Sequence, residues 1–223
     1  MYKLTITYGG KMSKMFNSTV SILIFMLTNA ALAQNASVNV AIRGVRLTGS
    51  GCGSATASAA LTADGKILSL LFDNYIAEIG QGSSNPQLTS LKKNCMVYID
   101  VDVPAGFQYA INQTEYRGFS ALPISAYGLH RFTQMSPGQM VPSMREAQLR
   151  GPIQQNYSVV VKQKPGREIY SACNNPQQTI QLQSELQVAY LPNTADRSIA
   201  MINLDSIDTG VNSKFSIVWR TCR

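Results

Sequence analysis

Asp100 and Asp102 are the most obvious candidates for chemistry in this sequence. Because they lie two residues apart, they would project from the same face of a strand, and paired carboxylates can serve glycoside hydrolysis or bind a metal ion. A glycosidase, however, needs its two carboxylates on either side of the substrate. The apolar residues that alternate with these aspartates favour a simpler interpretation, in which both lie on the polar outer face of a half-buried strand.

The other candidates for catalysis or metal binding are isolated. His130 is the only histidine, and no Gly-x-Ser-x-Gly motif accompanies it, so the sequence does not favour a Ser-His-Asp enzyme. Asp205 and Asp208 offer oxygen ligands that would suit calcium outside the cell. Their segment lacks the dense Asp and Asn alternation of an EF-hand loop and favours a structural turn. We therefore predict no catalytic residue, no metal site and no cofactor.

Tyr116, Arg117 and Phe119 are the most suggestive binding residues. Aromatic side chains beside a guanidinium recur in recognition sites, because flat rings provide contact area at low entropic cost. Gly118 between them would allow a ligand or a strand to approach closely. The alternative is a hairpin corner in which Tyr116 and Phe119 pack inward. Several glutamines could also offer amide groups to a sugar, although they suit a solvated strand face equally well: Gln108, Gln113, Gln181, Gln183 and Gln187.

The four cysteines indicate an oxidising compartment. Cys52, Cys95, Cys173 and Cys222 are separated by 43, 78 and 49 residues and include no CxxC pair. This spacing argues against a structural zinc site and favours two disulfides. Spacing alone leaves three connectivities open. We favour Cys52–Cys95 and Cys173–Cys222, because each pair joins neighbouring segments of the chain.

The first 33 residues have the three parts of a signal peptide. Three lysines precede the apolar run 20–27, and Ala31 and Ala33 place small residues at the cleavage positions. The run is far shorter than the ~20 apolar residues of a membrane span, so we predict cleavage after Ala33 rather than an anchor. We expect the true start to be Met12 or Met15. The codons before Met12 could contain a purine-rich ribosome-binding site, which predicts a bacterial source.

The remaining chain, residues 34–223, is long enough to form one domain with its own core. It carries 16 basic and 12 acidic residues, a net charge near +4. Its basic residues are scattered, with Lys92 and Lys93 as the only adjacent pair, whereas a nucleic-acid-binding protein usually concentrates its charge on one face. We therefore expect neither a nucleic-acid partner nor a transmembrane span.

Apolar and polar residues alternate along most of this chain, which is the period-two pattern of half-buried strands. Turn signals such as Asp64-Gly65 and the segment 104–106 separate the runs. Only Ser143–Arg150 has a helical composition, with Gly151 placed to end it, and a loop is nearly as compatible with its sequence. Eight to ten short strands with little helix predict an all-β fold, an antiparallel β-sandwich or jelly roll with two disulfides.

Seven short segments of this chain form a characteristic series: Gly49-Ser50-Gly51-Cys52, Phe72-Asp73-Asn74-Tyr75 with Gly80, Asn94-Cys95, Pro104-Ala105-Gly106-Phe107-Gln108, Tyr116-Arg117-Gly118-Phe119, Ser171-Ala172-Cys173 and Trp219-Arg220-Thr221-Cys222. In order and spacing they resemble an uncharacterised family of secreted proteins, the domain of unknown function 4360. Gly53 departs from the proline expected in that family. The resemblance implies a secreted, cysteine-bridged β-sandwich, found in bacteria and fungi, with no established activity or cofactor.

These observations predict a secreted or periplasmic protein, and we favour a non-enzymatic one that binds an extracellular or envelope glycan or protein. One alternative is a secreted hydrolase whose carboxylates, such as Asp100 or Asp102, are brought together by folding. Another is a secreted inhibitor or an envelope-associated structural protein, for which the loops 81–86 and 134–142 would provide the contact surface.

Overall fold

Strands form most of the described chain. The computed structural model describes residues 40–53, 57–135, 143–173, 175–204 and 213–222, and none of these residues is helical. The segment predicted to be a signal peptide lies outside them. The strands of the described residues are β1 (Ala41–Thr48), β2 (Ala57–Leu61), β3 (Ile67–Phe72), β4 (Ile76–Ile79), β5 (Ser90–Asp102), β6 (Phe107–Leu122), β7 (Ala126–Met135), β8 (Ser143–Arg150), β9 (Ile153–Lys162), β10 (Gln177–Tyr190), β11 (Ala200–Asn203) and β12 (Ser213–Thr221).

The strands are arranged in two antiparallel sheets. One sheet has five strands in the order β1-β5-β10-β7-β8, and the other has seven, in the order β2-β3-β12-β6-β11-β4 with β9 also paired to β6. Aromatic rings meet between the sheets: the ring centroid of Phe132 on β7 lies 4.3 Å from that of Tyr116 and 6.0 Å from that of Phe215. The structure is therefore a sandwich-like all-β fold, which confirms the predicted fold class.

Alternate residues of the central strands form the core between the sheets. On β5, Val97, Ile99 and Val101 are at most 3% exposed, and on β10, Leu182 and Leu186 are at most 1% exposed. Burying a side chain of this size contributes about 1.5–3 kcal/mol, so the alternation decides which face of each strand lies inside. The polar residues between them are consequently placed on the outer surface of the five-stranded sheet.

Two glycines with positive φ lie in turns that the sequence predicts. Gly65, at φ 67°, lies between β2 and β3, and its amide donates to the Thr62 carbonyl at 2.8 Å. Gly106, at φ 80°, lies between β5 and β6. Both angles fall in the left-handed region, which glycine adopts without the steric cost of a Cβ atom. These residues therefore allow the strands to reverse direction tightly.

Ser143–Arg150 is a strand, β8, so the helix or loop expected there is wrong. Its residues pair with β7 along their whole length, from Ser143 opposite Gln134 to Arg150 opposite Tyr127. The sequence of β8 is rich in helix formers. Helix propensities differ by at most about 0.7 kcal/mol per residue between ordinary amino acids, and pairing with the edge of a sheet outweighs them.

Both disulfides have the favoured pairing. Cys52, which follows β1, is bonded to Cys95 on β5, and Cys173, ahead of β10, is bonded to Cys222, which follows β12. All four cysteines are therefore oxidised, and none is left as a thiol nucleophile. In the described part of the chain, no helix has the length and apolar character needed to cross a membrane.

Candidate functional site

Tyr116 lies in the core rather than on the surface. Its side chain is 2% exposed, and its ring packs edge-on against His130 with the centroids 5.1 Å apart. Arg117 and Phe119 project from the opposite, outer face of β6, where the Arg117 Nε donates to the Glu115 carboxylate at 2.7 Å. The three residues do not form one platform, and the expectation of a surface site that includes Tyr116 is wrong.

Gly118 allows close packing within the protein. A Cβ atom at this position would overlap the Asn203 carbonyl oxygen and the Tyr157 ring. The Tyr157 hydroxyl donates to that carbonyl at 2.9 Å, and the Asn203 side chain accepts from the Phe119 amide at 2.8 Å. The close approach expected at Gly118 is therefore made by the end of β11.

Asp100 and Asp102 share the outer face of β5, as the sequence predicts, but each is paired with an arginine of β1. Arg46 lies 3.0 Å from Asp100, and Arg43 lies 2.7 Å from Asp102. The Thr179 hydroxyl also donates to Asp100, at 2.7 Å. These contacts hold both carboxylates against cations on the sheet surface, so the arrangement does not favour a hydrolase that uses them as acid and nucleophile.

His130 is buried between the two sheets. It is 3% exposed, and its Nε2 lies 3.1 Å from the Ser184 hydroxyl oxygen. Burial lowers the pKa of the imidazole to about 4, because the charged form would lose its hydration. A neutral histidine enclosed in this way belongs to the core and is shielded from any substrate outside it.

The predicted calcium ligands Asp205 and Asp208 lie outside the described residues, as does most of loop 134–142. Within the ranges that the structure describes, no three metal-ligating His, Cys, Asp or Glu side chains come together. The other predicted contact loop is attached to β4, since the Glu78 carboxylate accepts from the backbone amide and the hydroxyl of Ser84, at 3.2 and 2.9 Å. The inhibitor hypothesis stays a prediction.

A row of glutamines follows β10 along the outer surface of the five-stranded sheet. We define the glutamine face as the outward side chains of β10 with their neighbours on β5 and β7. The amide of Gln181 donates to Met96 Sδ at 3.5 Å, and that of Gln187 donates to Ser90 Oγ at 3.3 Å. Between them, the side chain of Gln183 makes no hydrogen bond with any described residue. The members of the row are Gln177, Gln181, Gln183 and Gln187.

The charged side chains of the glutamine face are paired with one another. The Glu185 carboxylate lies 3.0 Å from Arg131 and 3.5 Å from Lys92. Arg131 also lies 2.9 Å from Glu146 on β8. Together with the pairs that hold Asp100 and Asp102, these contacts pair the charged side chains that β1, β5, β7 and β10 present on this face. On these four strands, amide and hydroxyl groups are therefore the polar groups that remain available to a ligand.

An open depression lies at each end of the glutamine row. One, of about 470 Å³, is lined in part by Gln177 and Gln181. The other, of about 390 Å³, is lined in part by Ser90, Tyr127 and Arg197. At ~3.4 Å per residue, the ten steps from the first glutamine to the last span roughly 34 Å. The face is long enough for an extended ligand that contacts both depressions.

Hydrogen bonds fix the loop that carries Arg197. The Asp196 carboxylate accepts from the Ser125 hydroxyl at 2.6 Å, and this bond is the first reason that the pKa of Asp196 falls to about 2. Arg197 donates to the Thr194 carbonyl at 3.0 Å, and its guanidinium lies 5.2 Å from the centre of the Tyr190 ring. A loop ordered in advance lowers the entropic cost of binding.

Comparison with known proteins identifies the family. The sequence matches the domain of unknown function DUF4360 over residues 38–222. The chain belongs to this family. The DUF4360 chain is similar to an uncharacterized secreted protein of Arthroderma benhamiae, with 27% identity over 184 residues that cover 82% of this chain and 72% of the relative. That relative is fungal and does not support the predicted bacterial source. Its secretion and the two disulfides place this protein outside the cytoplasm.

Solved structures resemble the DUF4360 chain only distantly. TmCBM61 in complex with β-1,4-galactotriose aligns with a TM-score of 0.27 and 8% identity, covering 81% of this chain and 90% of the other. A GH31 alpha-xylosidase from Xanthomonas citri aligns with a TM-score of 0.20 and 11% identity, covering 83% of this chain and 20% of the other. TM-scores this low carry no argument about a ligand.

Three of the segments that carry the family resemblance meet in one place in this DUF4360 protein. The Ser50 hydroxyl donates to the side-chain oxygen of Asn94 at 2.8 Å and accepts from the backbone amide of Asn94 at 3.1 Å. Gly51 lies so close to the Tyr75 ring that a Cβ atom would overlap it. The Tyr75 hydroxyl donates to the Ser184 carbonyl at 2.8 Å. These motif residues therefore stabilise the structure beside the Cys52–Cys95 disulfide.

Proposed function

We propose that this protein is a non-enzymatic binding protein outside the cytoplasm, and that its glutamine face recognises an extended, uncharged glycan. The observation that carries the proposal is the row of outward glutamines with an open depression at each end. A side-chain amide both donates and accepts hydrogen bonds, which suits the hydroxyl groups of a sugar chain. Gln183, in the middle of the row, has its amide available for such contacts.

The chemistry of this face favours a glycan over a protein. Protein–protein interfaces have a core that is depleted of charged residues, whereas the centre of this face is a row of amides with Thr179 and Glu185 between them and paired charges beside them. Tyr98 on β5 and Tyr127 on β7 lie beside the row and offer rings against which a sugar ring can pack. An uncharged ligand also leaves the existing ion pairs intact.

Retention on a panel of neutral and acidic polysaccharides tests this function. Gln183→Ala should weaken binding of the retained neutral polysaccharide about fivefold, since a hydrogen bond to a neutral group contributes about 1 kcal/mol. Tyr127→Ala should weaken it about tenfold, because a ring that packs against the ligand is lost. Affinity electrophoresis in gels that contain the polysaccharide measures both changes.

The matched control is Gln154→Ala, which removes an exposed glutamine from β9 on the other sheet and should leave binding unchanged. Equal losses for Gln154→Ala and Gln183→Ala would rule out the glutamine face as the site. Failure of the protein to bind any polysaccharide in the panel would contradict the proposed function.

A further inference from the structure

An open cleft of about 470 Å³ lies beside the Cys52–Cys95 disulfide, away from the glutamine face. Residues 50–53 line it together with Asn74, Glu78 and Lys93. The contacts of Ser50 with Asn94 and of Gly51 with the Tyr75 ring hold this region in place. The cleft is therefore formed before any ligand arrives, which lowers the entropic cost of binding.

Lys93 and Glu78 are the two charged residues that line the cleft. Lys93 lies two residues before Cys95 on β5, so it shares the inward side of that strand, while the adjacent Lys92 lies on the outer side and pairs with Glu185 at 3.5 Å. Lys93 forms no ion pair with any residue that the structure describes. Its ammonium group is available to a ligand.

The Glu78 carboxylate also has capacity for a ligand. Its Oε1 accepts both hydrogen bonds from Ser84, whereas its Oε2 accepts none from the described chain. Glu78 and Lys93 do not pair with each other within 4.0 Å. The cleft therefore presents a cation and an anion that are not paired with each other, and a ligand that carries both charges can contact both.

We propose that this cleft binds a small zwitterion, either a free α-amino acid or a short peptide with both ends charged. The ligand carboxylate would contact Lys93 and its ammonium group would contact Glu78. A simple anion would be attracted by Lys93 and repelled by Glu78. A simple cation would be attracted by Glu78 and repelled by Lys93, so a ligand that carries both charges fits best. The Asn74 side chain, which forms no hydrogen bond in the described chain, adds an amide beside these charges.

Calorimetric titration of the full protein tests the site with four probes: glycine, alanyl-alanine, acetate and methylammonium. One or both zwitterions should bind, and each singly charged probe should bind at least about tenfold more weakly, because it gains one charge-assisted contact instead of two. The better of the two zwitterions distinguishes an amino-acid site from a peptide site. Raising the salt concentration should weaken binding, since the cleft is open to solvent.

Two variants remove the charges without removing the side-chain bulk. Lys93→Met and Glu78→Gln should each weaken zwitterion binding about tenfold, while the matched control Lys92→Met should not change it. Polysaccharide retention by the glutamine face should survive Lys93→Met, so the two sites can fail independently. The inference is overturned if neither zwitterion binds, if acetate binds as tightly as glycine, or if Lys92→Met and Lys93→Met have equal effects.

Discussion

Lys92 and Lys93 show that neighbouring residues of a strand have separate surroundings. Lys92 contacts Glu185 on the glutamine face, and Lys93 lines the cleft beside the Cys52–Cys95 disulfide. The same alternation separates Tyr116 in the core from Arg117 outside it. A run of adjacent suggestive residues in a strand is therefore poor evidence for a single site, because only every second side chain faces the same way.

His130 should make the stability of the protein depend on pH between about 6.5 and 4. Its pKa is about 4 in the folded protein and about 6.5 in an unfolded chain. The unfolded state therefore binds more protons in this range, and the free energy of unfolding should fall by about 3 kcal/mol as the pH drops from 7 to 4. Urea unfolding at intermediate pH values measures this fall.

The control for this prediction is His130→Gln, which retains a side-chain amide opposite Ser184. The variant should be less stable at pH 7 but should lose much less stability on acidification to pH 4. Asp196 does not confuse the comparison, because its pKa of about 2 lies below the usual value and its contribution is lost only as the pH falls below about 4. If the free energy of unfolding of His130→Gln fell with pH as steeply as that of the original protein, the assignment to His130 would be refuted.

At the scale of elements, the central strands β5 and β10 of the five-stranded sheet could be predicted best. The alternation of apolar residues on β5 and β10 coincides with their burial, because each inward position loses water on folding. β8 could not be predicted, since its sequence favours a helix and only its pairing with β7 makes it a strand. An edge strand buries little apolar surface, so its sequence need not show the apolar alternation that predicts a strand.

The candidate sites could be predicted only in part. Gln181, Gln183 and Gln187 are possible amide donors to a sugar by their sequence alone, and the structure places them in one row. Tyr127 and Arg197 have no signal in the sequence, because the pairing of β7 with β10 and the loop after β10 bring them together. The cleft beside the disulfide likewise depends on contacts between distant segments, which the alternation of residues within one strand does not predict.

The hairpin between β2 and β3 should depend on Gly65. Its φ of 67° costs a side chain with a Cβ atom about 1–2 kcal/mol, and a β-branched residue is the least compatible with it. Gly65→Val should therefore lower the free energy of unfolding by about 1–2 kcal/mol, as measured with urea. Gly65→Asn should lower it much less, because asparagine tolerates the left-handed region. Equal losses in the two variants would show that the turn conformation is not responsible.

At the scale of the whole molecule, the two disulfides close loops of similar length but differ in how deeply their cysteines are buried. The sequence separations are 43 and 49 residues. Cys52 and Cys95 are 8% and 0% exposed, whereas Cys173 and Cys222 are half-buried. The entropic effect on the unfolded chain should therefore be nearly equal for both, while the effect on packing should differ.

Replacing either pair by alanines should destabilise the protein by on the order of 4 kcal/mol through the unfolded chain. Cys52→Ala with Cys95→Ala should cost more than Cys173→Ala with Cys222→Ala, because it also leaves a cavity in the core. Urea unfolding of the two double variants measures the difference. A larger loss for the half-buried pair would contradict this account.

The Cys173–Cys222 bond also determines how the molecule responds to mechanical tension. β12 lies between β3 and β6 in the seven-stranded sheet, and Cys222 follows it directly. A pulling force applied beyond Cys222 passes through the covalent bond to Cys173 and does not first peel β12 away from its neighbours. A protein that holds a polymer under flow, or that is tethered through its C-terminal end, would keep its central strand in place under such a load.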